Sequence, residues 1–230
     1  MPSELQATRD RILNAAEDRF GQQGFSTTSL RQITELAGAN LAAVNYHFGS
    51  KEALYHEVML RRARPLNEER LRLLDEAEQL AGDQPVPLRS ILDSFIRPLL
   101  QQATLEPSRS ASFLRLIWRD LTDPQPFMKE LLAREFNPLV TRYRDALTLA
   151  LPGIPAAEIF WRMHFIMGAT LYTACHQHDI DKISFGACSR GDLDGCIQRL
   201  IDFCAAGLEA FLRAPSGPRI DAQAPEASGR

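Results

Sequence analysis

The chain has 230 residues, 45% of them hydrophobic, and its 26 Lys and Arg against 29 Asp and Glu give a net charge of −3. That suits a globular protein with a substantial core, as one large domain or a small domain fused to a larger one, and it excludes a global basic excess, so any nucleic-acid contact must rest on local placement. No apolar run approaches the roughly 20 residues that span a bilayer, and "MPSELQATRD" lacks the apolar stretch of a signal peptide, so the expected compartment is the cytoplasm with no membrane partner.

Nearly every segment carries a helical period and no run of alternating β-branched residues stands out, which predicts an all-α chain. The first helix begins near Thr8, with Ile12, Ala16 and Phe20 forming an apolar stripe beside Leu13, and Gly21 and Gly24 ending it. A second, short helix follows "STTS", capped by Thr28 or Ser29, the latter at capping-box spacing from Gln32; Leu30, Ile33 and Ala37 face inward and Gly38 stops it. Asn40 caps a third helix with an inner face of Leu41, Val44 and Phe48. Gly49 ends it, and Ser50 caps a long charged helix running towards residue 80, which Pro65 should kink or split.

After the punctuation "AGDQPVPL", helices are expected near 88–104, 109–122, 126–151, 155–178 and 192–213, the first kinked at Pro98. The last 17 residues, 214–230, are poor in apolar side chains and read as a disordered tail.

The segment "NLAAVNYHFGSK", residues 40–51, carries the functional signal. On a helical wheel Leu41, Val44 and Phe48 share one side, while Tyr46 lies opposite, flanked by Ala42 and Ala43, with Asn45 and His47 on the borders. No Lys, Arg, Asp or Glu occurs between Glu35 and Lys51, where a merely solvated helix would carry charge. Small alanines permit close approach, Asn pairs with base edges, and Tyr and His reach phosphates. Two short helices joined by a tight glycine turn describe a helix-turn-helix, with a plain helical hairpin as the alternative.

Residues 8–55 resemble the N-terminal domain of the TetR family of bacterial transcriptional regulators. The resemblance is carried by Ile12, Ala15, Ala16, Phe20, Gly24, Phe25, Thr28, Ile33, Ala37, Gly38, Tyr46, His47, Phe48, Lys51, Leu54 and Tyr55. "NLAAVNYHFGSK" and "FWRMHFIMGA" further resemble a subgroup that includes fatty-acid-responsive repressors. The resemblance implies contacts to double-stranded operator DNA from Thr28, Arg31, Asn40, Ala42, Ala43, Asn45, Tyr46, His47 and Lys51, and a helical remainder that dimerises and binds a small-molecule effector. Asn45 stands where the family often has tyrosine, and Leu41 and Ala42 replace a frequent Lys/Gly-type pair, so the operator sequence does not carry over.

Within residues 1–52, five basic residues (Arg9, Arg11, Arg19, Arg31, Lys51) face six acidic ones (Glu4, Asp10, Glu17, Asp18, Glu35, Glu52), a balance of −1. Binding must therefore use Lys51 and helix amino ends, with a modest salt dependence. In the remainder, Phe95, Phe113, Trp118, Trp161 and Met167 read as core or pocket, and Arg115, Arg162 and His164 as the cationic end of a cavity for an amphipathic anion or as satisfied internal groups, Glu158 being the natural partner of Arg162. The helices near 155–178 and 192–213 are apolar on more than one face, as expected if they pair with their copies in a homodimer.

The four cysteines, Cys175, Cys188, Cys196 and Cys204, read as thiols, and Cys175, His176, His178 and Cys188 match no metal-ligand spacing. No metal or cofactor is implied, and no catalytic motif is present. The sequence thus predicts a helix-turn-helix domain at 1–52, a helical ligand-binding and dimerisation domain at 53–213 and a tail at 214–230. The expected function is transcriptional repression relieved by a ligand, with activation, a helical protein–protein adaptor without DNA binding and a small-molecule-transforming helical enzyme as alternatives.

Overall fold

The computed structural model describes residues 4–105, 107–122, 124–176, 179–189 and 191–213. These form ten helices and no strand: α1 (Glu4–Gln23), α2 (Leu30–Ala37), α3 (Leu41–Phe48), α4 (Lys51–Ala81), α5 (Leu88–Leu105), α6 (Pro107–Thr122), α7 (Pro126–Ala150), α8 (Ala156–His176), α9 (Ile180–Ile183) and α10 (Leu193–Arg213). The expected tail at 214–230 lies outside the described residues.

The apolar stripes read in the sequence assemble into two cores. In the first, Ile12, Phe20, Ile33, Val44, Leu54 and Val58 from α1–α4 are fully enclosed, and Leu116 of α6 and Met128 of α7 complete it. The second runs from Leu66 to Leu208 and draws on α4, α5, α6, α7, α8 and α10. α4 joins the two, because its apolar positions continue past the first core through Ala63, Leu66 and Leu74. Pro65 therefore does not split α4: packing on both sides of it outweighs the one lost backbone hydrogen bond. Pro98 likewise lies within an unbroken α5.

Several expectations need correction. α1 begins at Glu4 rather than near Thr8, one turn earlier. Gly21 does not end it. It lies inside the helix, where a Cβ would come within 3.0 Å of the Ser112 carbonyl oxygen, so its role is to let α6 approach. Gly24, at φ +85°, makes the turn instead. Leu41 is exposed rather than inward-facing: α3 is short, and only Val44 and Phe48 reach the core. The four-residue α9 has no periodicity that a sequence reading could detect.

Candidate functional site

The helix-turn-helix is built by capping. Ser29 and Gln32 bond reciprocally: the Ser29 N–H donates to Gln32 Oε1 at 2.7 Å and the Gln32 N–H to Ser29 Oγ at 3.2 Å. Gly38 closes α2 in the left-handed region at φ +59°, a conformation a side chain would strain. Asn40 Oδ1 then accepts the Ala43 N–H at 2.8 Å and starts α3. Ser50 Oγ accepts the Ala53 N–H at 3.1 Å and starts α4 immediately after Gly49.

This frame fixes which side chains face outward. Tyr46 is 74% exposed, with Ala42 and Asn45 also exposed and Ala43 and His47 half-buried. The Tyr46 and His47 rings meet edge to face at 5.0 Å, which orients both. Arg31 is exposed and pairs with Glu35 at 3.0 Å, a surface contact weak enough to be exchanged for a phosphate. Lys51 Nζ rests 4.2 Å from the centre of the Phe25 ring, and partial burial lowers the pKa of its ammonium, opposed by Glu52. A cation in the first turn of a helix is disfavoured by the helix dipole, and a bound phosphate would offset that.

Thr28 does not belong with this group. It is 1% exposed, and its hydroxyl donates to the Gly24 carbonyl at 2.7 Å, so its side chain shapes the turn after α1.

The other arginines of this region hold the domain together. Arg9 pairs with Glu57 at 2.6 Å, and Arg11 Nε donates to the Ala37 carbonyl at the end of α2. Glu17, 4% exposed, receives both Arg61 and Arg62 from α4. Arg31 and Lys51 are the cations on the helix-turn-helix segment itself, residues 29–51.

The second region is hollow. α4, α5, α6, α7 and α8 enclose a cavity of about 360 Å³ with mostly apolar walls, including Ile91, Leu99, Leu139 and Ile166. Its size lies near the lower end of small-molecule sites, roughly 300–1,000 Å³. Of the eight side chains expected there, Phe95, Phe113 and Met167 line it.

The other five do not. Arg115 is exposed and donates to Ser112 Oγ at 3.0 Å, and Trp118 packs on the His176 ring at 5.6 Å. Trp161 and His164 lie on the outer face of α8. Arg162 pairs with Glu158 at 3.5 Å and donates to the Gly207 carbonyl. For Trp161, Arg162 and His164 the cause is that α8 is apolar on two sides, and helical period alone does not say which side faces inward. Arg115 and Trp118 lie on the exposed side of α6.

The charged residues of the wall are Arg70 and Asp120. Arg70 was legible in retrospect, since Ala63, Leu66, Arg70 and Leu74 form one stripe at helical spacing. Its Nε donates to the Phe95 carbonyl at 2.9 Å, its guanidinium lies 4.1 Å from the Phe95 ring centre, and burial pushes its pKa down to about 10. Tyr143 is internally satisfied: its hydroxyl donates to the Arg70 carbonyl at 3.0 Å and lies 2.9 Å from Ser94 Oγ, and burial raises its pKa to about 12.

The cavity and the N-terminal core share residues. Met59 belongs to the first core and lines the cavity, and Ile117 lines the cavity and packs on both cores. From the same helix, Arg119 donates through Nε to the Gly21 carbonyl at 3.2 Å and through Nη2 to the Gln22 carbonyl at 2.6 Å, satisfying the carboxyl end of α1.

Phe160, Trp161, Phe165 and Tyr172 of α8, with Phe203 of α10, are exposed. Leu171, Ile197, Ile201 and Leu208, on the same two helices, face the second core instead. Cys188 is exposed, Cys175 and Cys196 are half-buried and Cys204 is buried. Burial pushes the Cys204 thiol up to about 11, and moves Cys175 and Cys196 the same way. His178 lies outside the described residues, among which no group of three or more His, Cys, Asp or Glu is placed to hold a metal. No helix among them is long and apolar enough to cross a membrane.

Residues 12–58 match the family model for bacterial regulatory proteins of the tetR family, and residues 93–207 match that for the tetracyclin repressor-like C-terminal domain. The HTH-type transcriptional regulator RutR of Escherichia coli K12 is 49% identical over 55 residues, which are 24% of this chain and 26% of that protein. UidR of the same organism is 40% identical over 60 residues, 26% of this chain and 31% of that protein. The match thus spans between a quarter and a third of the curated relatives' length.

Among solved structures, the hemolysin II transcriptional regulator HlyIIR aligns over 87% of this chain and 98% of its own at a TM-score of 0.57 and 18% identity. The fatty acid degradation regulator FadR of Bacillus halodurans aligns over 85% and 93% at 0.53 and 13%. At these identities the structural likeness speaks for the fold alone. With a matching N-terminal model, a C-terminal model covering half of the chain and this shared all-helical architecture, the chain belongs to the TetR family of bacterial regulatory proteins.

Proposed function

We propose that this chain is a transcriptional repressor that binds double-stranded operator DNA as a homodimer and releases it when a small apolar or amphipathic molecule enters the cavity. The observation that carries this is the outward face of α3: Tyr46, Asn45 and Ala42 exposed and uncharged on a helix held rigid by caps at both ends. In this reading residues 1–52 form the DNA-binding domain and 53–213 the effector and dimerisation domain. α3 enters the major groove, Asn45 reads a base edge, and Arg31, Asn40, Tyr46, His47 and Lys51 position it on phosphates.

The exposed aromatics of α8 and α10 meet their copies across a two-fold axis, which sets two recognition helices on half-sites one helical turn, about 34 Å, apart. A ligand that changes the cavity wall moves Met59 and Ile117, and α6 carries the movement to α1 through Arg119. The ligand shifts the population between DNA-competent and incompetent spacings.

The test is selection of bound fragments from genomic DNA by the full chain, followed by sedimentation of the protein alone. One enriched half-site repeated with two-fold symmetry is expected, on a protein that sediments as a dimer at micromolar concentration. Retention of no fragment at low salt would favour the adaptor reading, and a stable monomer would remove the spacing mechanism.

A further inference from the structure

A buried cation without a counterion is the least explained feature of the cavity. Arg70 is 6% exposed, and no carboxylate among the described residues comes within ion-pair distance of it. Its bonds are Nε to the Phe95 carbonyl, at 2.9 Å, and a long one from Nη1 to Asn67 Oδ1, at 3.4 Å; Nη2 has no hydrogen-bond partner among the described residues. Asp120, the other charge in the wall, makes no ion pair with Arg70. The Phe95 ring and carbonyl hold the guanidinium in one orientation, which is an arrangement for receiving a group rather than for structural pairing.

Burying an ion is unfavourable unless it is paired, and an arginine in this position stays protonated at neutral pH, because burial lowers its pKa only to about 10. The missing counter-charge then has to come from what fills the cavity.

We infer that the cavity's occupant is an apolar molecule bearing one anionic group, a carboxylate or a comparable oxyanion, and that Arg70 binds that group. The inference rests on the cavity being the effector site proposed above. The apolar walls take the body of the molecule, and the fixed guanidinium fork takes two anionic oxygens. A cationic ligand would be repelled at Arg70, and a neutral one would leave it uncompensated.

The test compares decanoate, decyl phosphate, decan-1-ol and decylammonium by calorimetry on the full chain, its Arg70→Met variant and its Arg70→Lys variant, each below micelle-forming concentration. Decanoate or decyl phosphate should bind about tenfold or more tightly than decan-1-ol, the gain expected of charge-assisted hydrogen bonds. Arg70→Met should erase that preference while leaving decan-1-ol affinity within about threefold, which also reports an intact cavity. Arg70→Lys should keep part of it.

Equal or tighter binding of decan-1-ol, survival of the preference in Arg70→Met, strongest binding of decylammonium, or binding of none of the four would each overturn the inference. If neutral compounds bind and release operator DNA, the effector site stands and only the ligand class falls. If anions bind as expected but never release DNA, the ligand class stands and the regulatory reading falls.

Discussion

Glu17 and Arg70 are both buried charges packed at α4, and the two regions of the molecule compensate them in opposite ways. Glu17, in the N-terminal core, receives two guanidiniums from α4, so its charge is met within the protein. Arg70, five residues beyond the proline of the same helix, faces a cavity whose wall acid, Asp120, makes no ion pair with it. A region that works through its outer surface can be internally complete. A region that works through its interior leaves packing and charge to be completed by another molecule.

The largest effect on stability is therefore expected at Glu17. Glu17→Gln leaves Arg61 and Arg62 without their carboxylate at side chains that are 26% and 19% exposed. The loss should be about 3 kcal/mol, as for breaking a buried pair from one side. Urea unfolding measures it, and a loss below about 0.5 kcal/mol would show that the pair does not hold α1 to α4.

On the outer surface the expectation reverses. Tyr46→Ala and Lys51→Ala should weaken operator binding by about ten- to a hundredfold while changing stability by less than about 0.5 kcal/mol. Lys51→Ala should also lower the salt slope by about 1. Asn45→Ala should alter base preference instead. An unchanged slope in Lys51→Ala would mean that Lys51 serves only the Phe25 ring on which it rests.

This contrast also explains what the sequence could reveal. The fold was legible almost throughout, since nine of the ten helices among the described residues follow from period, caps and glycine stops, with ends displaced by a few residues. The outward face of α3 was legible too, apart from Leu41, which was read as inward and is exposed, because a short helix with two inward residues leaves the rest little choice. Thr28, read as a DNA contact, is buried: its hydroxyl turns back to the Gly24 carbonyl, and a local turn of this kind leaves no periodic trace. In the cavity Arg115, Arg162 and Arg70 all sat on amphipathic helices, and which of them faced the interior depended on how five helices pack. Only the stripe through Leu66, Arg70 and Leu74 pointed to the one that faces the interior, and it lies on a helix that the sequence marks only as long and charged.

A smaller effect separates the hollow interior from the solid one. Ala63 lines the cavity, so Ala63→Leu adds atoms where there is room, and stability should stay within about 1 kcal/mol of the parent. Affinity for decan-1-ol should fall about tenfold as the space is filled. Enlarging Ala16, fully enclosed in the N-terminal core, has no such room, and Ala16→Leu should cost about 1–3 kcal/mol. Equal costs at the two sites would mean that the cavity closes in solution.

The smallest and most discriminating effect is expected at Arg70 in the unliganded protein. Burial holds its pKa near 10, which corresponds to about 3 kcal/mol against the charged form. Arg70→Met removes that burden together with the hydrogen bond to the Phe95 carbonyl and the contact with its ring, so the two changes nearly cancel. The variant should be as stable as the parent or up to about 1 kcal/mol more stable at pH 7. The pH dependence has a definite sign. Below pH 10 the guanidinium is charged both folded and unfolded, and the burden is fully present. As pH rises past about 10 the folded protein releases the proton before the unfolded chain does, so the parent gains stability relative to Arg70→Met. Paired urea titrations should give a difference that is flat between about pH 6 and 9 and narrows above about 10. A loss in Arg70→Met as large as that in Glu17→Gln would instead place a counter-charge on Arg70 within the protein itself, and the contrast between the two buried charges would disappear.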